Sequence, residues 1–198
     1  PIPGDADLVL IPGSKSTRGD LAFLREQGWD IDLYAHRRRG GHILGICGGY
    51  QMLGQTIADP EGLEGPAGKT EGLGLLEVST VMSAAKTLRE VTAVDAGSGL
   101  AVEGYEIHLG QTEGSDCQRP FGYVDQQPEG ACSEDGRVQG SYLHGLFRED
   151  AFRRSFLARL GAPASDLFYD KSLDDVLNRL ADHLEEHLDI DALFALAR

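Results

Sequence analysis

A chain of 198 residues with 41% hydrophobic and 25% charged residues has the make-up of an ordinary globular protein able to bury a sizeable core. Its net charge of −14 leaves no basic surface on which nucleic acid or an anionic membrane could be held. No apolar run reaches bilayer length and no leader pattern opens the chain. The three cysteines, Cys47, Cys117 and Cys132, lack C-x-x-C spacing, which argues against a disulfide framework or zinc ribbon and suits a reducing cytoplasm.

Residues 7–11, Asp7-Leu8-Val9-Leu10-Ile11, read as a strand buried on both faces, because the apolar run is continuous rather than alternating. The Pro12-Gly13-Ser14 turn follows. Lys15-Ser16 lacks the glycines of a phosphate-binding loop, so no nucleotide site is expected there. Capping-box spacing from Thr17 to Asp20 predicts a helix ending at Gly28. A second helix is expected over 30–39, acidic at its start and closed by Arg37-Arg38-Arg39 and Gly40, an order that complements the helix dipole. Residues 42–46 form the next strand. After them, Tyr50, Met52, Leu53 and Ile57 carry the apolar pattern of a helix. Strand, helix, strand, sharp turn and helix predict an α/β fold: a doubly wound, mostly parallel sheet with helices on both faces.

Residues 59–74, rich in glycine, read as a surface loop, and strands are expected over 74–80, 91–94 and 138–143, with a turn over 95–99 joining Leu100-Ala101-Val102, which leads into the run from Gly104 to Gly110. Residues 111–130 are turn-rich and without periodicity. Helices follow from Glu149 to Leu160 and through Leu173, Val176, Leu177, Leu180 and Leu184. The chain reads as a single domain with a core over about 7–161 and a helical extension over about 165–198. His183-Leu184-Glu185-Glu186-His187 spells an inverted zinc-protease pattern, but on a charged helix face without a third ligand, so no metal is expected.

The chemistry centres on Gly45-Ile46-Cys47-Gly48-Gly49. A strand that enters a helix through a turn with glycine on both sides of one residue forces that residue into an unfavourable backbone conformation and lifts its side chain clear of the sheet. Placed at a helix N-terminus, the Cys47 thiol is expected to be biased towards thiolate. A cysteine filling a core gap is the alternative, but it does not need the flanking glycines. A nucleophile also requires a proton carrier. Of six histidines, His36 and His42 lie upstream of the elbow and His183 and His187 on the last helix. His108 and His144 remain, each near a strand end and beside glycine. His144, which directly follows an apolar strand, is the preferred acid/base, with His108 lining the pocket.

Four motifs then stand in order: Leu8-Val9-Leu10-Ile11-Pro12-Gly13-Ser14-Lys15, Gly45-Ile46-Cys47-Gly48-Gly49-Tyr50-Gln51-Met52-Leu53-Gly54, Gly104-Tyr105-Glu106-Ile107-His108-Leu109-Gly110 and Gly140-Ser141-Tyr142-Leu143-His144-Gly145-Leu146-Phe147. Together they resemble the class I glutamine amidotransferases, and more narrowly their cobyric acid synthase branch. The resemblance implies a glutaminase in which Cys47 forms a glutamyl thioester and His144 relays protons. It further implies an oxyanion hole from the amides of Gly13 and Gly48, and Gln51, Tyr105, Glu106 and His108 at the glutamine pocket. Position 146, where many class I relatives place a glutamate, is leucine, so the resemblance implies a Cys–His dyad. Its imidazole would be oriented by a backbone carbonyl or by a carboxylate from elsewhere such as Glu106. The implied partners are L-glutamine and an ATP-dependent synthetase domain upstream of Pro1, which would carry ATP and magnesium and amidate a corrinoid acceptor. No cofactor is implied for these residues, and hydrolysis is expected to be slow until the synthetase docks. A glutaminase subunit of a lipid II amidating complex and a non-catalytic binding module are the competing expectations.

Overall fold

The first apolar run forms β1 (Leu8–Ile11), and the computed structural model carries the chain from there through residues 1–84, 87–163 and 166–196, the ones described below. Two helices follow, α1 (Thr17–Glu26) and α2 (Trp29–Arg38), and lead into β2 (His42–Ile46), which pairs in parallel with β1. The expected capping box is not what closes the start of α1: the Ser16 side chain makes no cap bond, and the Thr17 amide donates to Glu64 Oε2 at 2.8 Å. A carboxylate brought 47 residues along the chain therefore meets the positive end of the helix.

The chain then turns into α3 (Gly48–Leu53), which is only six residues long. Ile57, expected on that helix, lies instead in β3 (Thr56–Asp59). Gly54 is extended, and β3 pairs with β4 (Gly68–Glu71) and β5 (Val78–Val81), so Ile57 is buried by a sheet. The stretch expected to be one surface loop thus contributes a strand. Next come β6 (Thr87–Asp95), β7 (Ala101–His108) and β8 (Gln111–Gly114), then the short β9 (Gly122–Val124), β10 (Gln127–Glu129) and β11 (Ala131–Cys132). β12 (Val138–Ser141) and β13 (Leu143–His144) precede α4 (Asp150–Arg159), α5 (Tyr169–His187) and α6 (Ile190–Leu196).

Among the described residues three sheets result, with orders β1-β2-β12-β11, β10-β9-β6-β7-β13 and β4-β3-β5-β8. The α/β architecture expected from the sequence is present, and the sheets are mixed. Parallel pairing joins β1, β2 and β12, and β3 to β5, while hairpins supply antiparallel ladders. The physical reason is connection length: a helical crossover precedes β2, but the strands of the β6–β7 hairpin are too close in sequence to be parallel.

β2 is the central strand. Ile43 packs into one core cluster with Leu21, Leu24 and Leu33 of α1 and α2, and Leu44 into a second with Phe152 and Phe156 of α4. Adjacent residues of a strand face opposite ways, so helices cover both faces of this sheet. Each of these two side chains, fully buried, contributes roughly 1.5–3 kcal/mol of transfer free energy. The expected amphipathic α5 forms, yet none of its residues is buried, and Leu173, Val176, Leu177, Leu180 and Leu184 are exposed. Among the described residues no helix is long and apolar enough to cross a membrane.

Candidate active site

Cys47 sits between β2 and α3 with φ 54° and ψ −111°, a conformation that a non-glycine residue adopts at a cost of about 1–3 kcal/mol. The surroundings hold it there. Its amide donates to Ser141 O at 2.8 Å and its carbonyl accepts from Gln51 N at 3.1 Å. Neighbouring glycines are required by close approach. A Cβ on Gly48 would lie 2.8 Å from Ser14 N, one on Gly45 would lie 2.6 Å from Gly49 O, and one on Gly49 would overlap Ile11 O. The elbow is therefore pressed against the end of β1 and the Pro12-Gly13-Ser14 turn.

That turn joins the two reactive side chains. The Cβ position of Gly13 lies 3.6 Å from Cys47 Cβ and 3.4 Å from His144 Cε1. His144 reaches the cleft because β13 pairs with β7, setting Leu143 against Glu106 and His144 against Tyr105. Gly104 permits this approach, since a Cβ there would collide with His144 O. The imidazole stacks on the Tyr105 ring, with centroids 5.1 Å apart and planes 8° from parallel. Its Nε2 is buried and has no hydrogen-bond partner among the described residues.

The surroundings of Cys47 favour the thiol over the thiolate. Burial pushes the Cys47 thiol up, the Gly48 amide pulls it down by a lesser amount, and the Glu64 carboxylate adds to the rise. The sequence expectation of a thiolate at a helix N-terminus is thus corrected: α3 is short, and desolvation outweighs its dipole. In keeping with a protonated sulfur, Cys47 Sγ donates to Ile107 O at 3.2 Å.

The other candidate residues fall into place around this pair. Gln51 is buried, with Oε1 accepting from Thr17 Oγ1 (3.1 Å) and Nε2 donating to Leu109 O (3.0 Å) and Tyr142 OH (3.2 Å). It forms the wall beneath the elbow. Tyr105, half exposed, covers the imidazole. Glu106 follows it in β7 and so faces the other way, where its Oε2 accepts from Arg89 Nε at 2.6 Å. Glu106 therefore does not serve as the carboxylate that orients His144, because its side chain is on the wrong face of the strand. His108 stacks on Tyr142 (3.9 Å, 19°), with Nδ1 3.2 Å from Gly110 O, and burial lowers its pKa. His108, Glu106 and Tyr142 line a cavity of about 470 Å³ with Glu129 and Thr112.

Of the remaining histidines, His36 is buried with Nε2 2.9 Å from His42 O, a structural contact. His183 and His187 are exposed on α5. Among the described residues no three His, Cys, Asp or Glu side chains gather as a metal site. Sequence reasoning missed Tyr142, whose hydroxyl meets Thr112 Oγ1 at 2.5 Å, and Glu129, which binds the segment leading to His144. Tyr142 lay within a quoted motif. Glu129 lay in a turn-rich stretch that gave no signal.

Known proteins share both the fold and the sequence. The CobB/CobQ-like glutamine amidotransferase domain family matches residues 1–152. Over 198 residues the chain is 67% identical to a cobyric acid synthase of Rhodobacter capsulatus, and over 197 residues 64% identical to one of Bradyrhizobium diazoefficiens. Each alignment covers 100% of this chain and 41% of the relative, so the chain spans about two-fifths of the length of those proteins. A crystal structure of a glutamine amidotransferase aligns with a TM-score of 0.57 at 20% identity, covering 80% of this chain and 82% of that one. The PurLQS structure from Thermotoga maritima aligns at 0.55 and 18%, covering 76% and 74%. The elbow, the four motifs and a matched span of 152 residues carry one conclusion: this chain belongs to the CobB/CobQ-like glutamine amidotransferase domain family.

Proposed function

We propose that the chain is the glutaminase part of a cobyric acid synthase, releasing ammonia from glutamine for ATP-dependent amidation of corrinoid side-chain carboxylates. The observation that carries the reading is the strained Cys47 set across Gly13 from an imidazole whose buried Nε2 has no partner. A buried ring nitrogen left without a partner among the described residues is free to accept a proton.

The chemistry follows from these positions. Glutamine enters and the Cys47 Sγ–H bond to Ile107 O gives way to transfer of that proton to His144 Nε2. Sulfur attacks the side-chain amide carbon, and the resulting oxyanion is met by the amides of Gly48 and Gly13. Each such donor lowers the barrier by roughly 3 kcal/mol. The C–N bond breaks as the imidazolium returns its proton to the leaving nitrogen, giving ammonia and a glutamyl thioester. Water, deprotonated by His144, then attacks the thioester; glutamate leaves and the thiol is restored. Gln51 braces the elbow from below, Tyr105 holds the imidazole by stacking, and His108 and Glu106 shape the neighbouring wall. With no carboxylate on His144, turnover is slow in the chain alone and rises when the ATP-dependent synthetase part docks.

These steps need only the side chains named. ATP and magnesium belong to the remainder of the longer protein, and a reducing cytoplasm keeps the thiol usable. The test is labelling with the glutamine-like electrophile diazo-oxo-norleucine, followed by glutamate release. One adduct on Cys47, absent in C47A, with glutamate release lost in C47A and H144A, is the expected result. A wild-type chain that takes no adduct would leave a non-catalytic binding module.

A further inference from the structure

The chain changes sheets between β12 and β13. β12 pairs with β2, β13 pairs with β7, and Tyr142 between them belongs to neither ladder. Backbone amides at such a switch must find partners elsewhere. Here one buried carboxylate supplies them. Glu129, the last residue of β10, accepts from Tyr142 N through Oε1 at 2.6 Å and from Ser141 Oγ through Oε2 at 2.9 Å. Ser141 Oγ in turn accepts from Leu143 N at 3.0 Å.

The same residues carry the machinery. Ser141 O receives the Cys47 amide, Tyr142 OH receives Gln51 Nε2, and His144 stands next but one. From this geometry we infer that Glu129 is a positioning residue for glutamine hydrolysis, its carboxylate setting the strand switch that fixes Cys47, Gln51 and His144 relative to one another. The inference rests on the glutaminase reading above. Glu129 touches none of the reacting atoms and acts only through this switch.

The charge state matters for a stated reason. A carboxylate accepts twice, which suits a Ser141 hydroxyl that donates to it while accepting from Leu143. A glutamine, or a protonated glutamic acid, offers one acceptor and one donor. Its donor would face an oxygen that already accepts, and the Ser141 hydrogen would lose its partner. Burial raises the Glu129 carboxyl to about 7, the two hydrogen bonds pull against that rise, and Glu106 adds to it. The other titratable groups around it are Cys132 of β11 and Tyr50 of α3, with His108, Glu113 and Cys117 on the same cavity. E129Q therefore imitates the protonated form at every pH.

The experiment compares wild type, E129Q and S141A in glutamine hydrolysis from pH 5.5 to 8.5. Turnover is expressed per site titrated with diazo-oxo-norleucine, so that unfolded molecules are not counted. A displacement well under 1 Å is expected to lower kcat of E129Q about tenfold at the alkaline end, with KM within about twofold. The ratio of wild type to E129Q should fall towards one as pH drops below about 7. A role in stability alone would leave that ratio constant, and a constant ratio, or E129Q within twofold of wild type at pH 8.5, overturns the inference. If E129Q gives no titratable sites, S141A decides: it removes the link to Leu143, so kcat should fall about threefold, and an unchanged kcat overturns the inference. A wild type that neither hydrolyses glutamine nor takes the label overturns the glutaminase reading as well. Hydrolysis with a flat ratio removes only this inference.

Discussion

Replacing Gly49 with alanine puts a single methyl group where the elbow meets β1. By helix propensity alone the change would stabilise α3 by about 1 kcal/mol. The packing opposes it. The new Cβ would overlap Ile11 O and lie 2.7 Å from Ile11 C and 2.9 Å from Pro12 O, where carbon contacts settle at about 3.5–4.0 Å. All three are backbone atoms, so no rotamer change relieves the clash, and Ile11 is held in register with Gly45 of β2. Overpacking of this kind costs about 1–3 kcal/mol, and a collision with backbone on a paired strand belongs at or beyond the upper end. The net loss is then about 2 kcal/mol, which in a chain of this size lowers the melting temperature by roughly 4–8 °C. The Pro12-Gly13-Ser14 turn must shift with it, and a misplacement of about 1 Å can cost up to 100-fold in turnover. Thermal melts by circular dichroism and glutamate release measure the two effects. G4A is the control, since its Cβ meets nothing within 4 Å. A G49A chain that melts within 1 °C of wild type and turns over normally would refute the reasoning that glycine is required there.

Tyr105 stacks on His144; if the stack orients the imidazole, Y105A should lower kcat about fivefold and Y105F leave it within about twofold, an aromatic pair being worth ~1 kcal/mol. Equal kcat for both variants in a steady-state assay would rule out the stack. Cys47 should react with iodoacetamide more slowly at pH 7 than a free cysteine, because burial raises its pKa from the ordinary 9.0, and E64Q should speed the reaction by removing a like charge. The sign for stability follows: the folded state holds the proton more tightly, so this contribution is fully present below the ordinary thiol pKa and is lost as pH rises from there through the raised folded one. On α5, L177S with L180S should change the melting temperature by less than about 4 °C, since neither side chain is buried and exposed substitutions stay within about 0.5 kcal/mol each. A larger fall in calorimetry would show that this face is covered.

What could be read from the residues alone was local and repeated. Residues 7–11 and 42–46 announced strands because unbroken apolar runs have few other solutions, but burial of the first on both faces did not hold, since Leu10 of β1 is 40% exposed and only Ile11 is buried. The glycines at 45, 48 and 49 announced the elbow because each is forced by a backbone neighbour. His144 was legible from an apolar strand ending in His-Gly. Ile57 was misplaced because its spacing from Leu53 fits a helix, and only the pairing of β3 with β5, more than twenty residues away, reveals the strand. The protonation of Cys47 was misjudged because burial depends on the whole fold, whereas the helix dipole can be seen in sequence. Glu129 escaped because its work is done on a segment twelve residues later through three-dimensional contact, from a stretch without period.

The sulfur that rests against Ile107 O has a bearing on how the site withstands oxidants. Peroxides attack the ionised form of cysteine far faster than the protonated one, and the first product, a sulfenic acid, can be carried on to forms no reductant reverses. If Cys47 is the nucleophile proposed above, a sulfur whose surroundings favour the protonated form presents oxidants with a slow target while the site is empty.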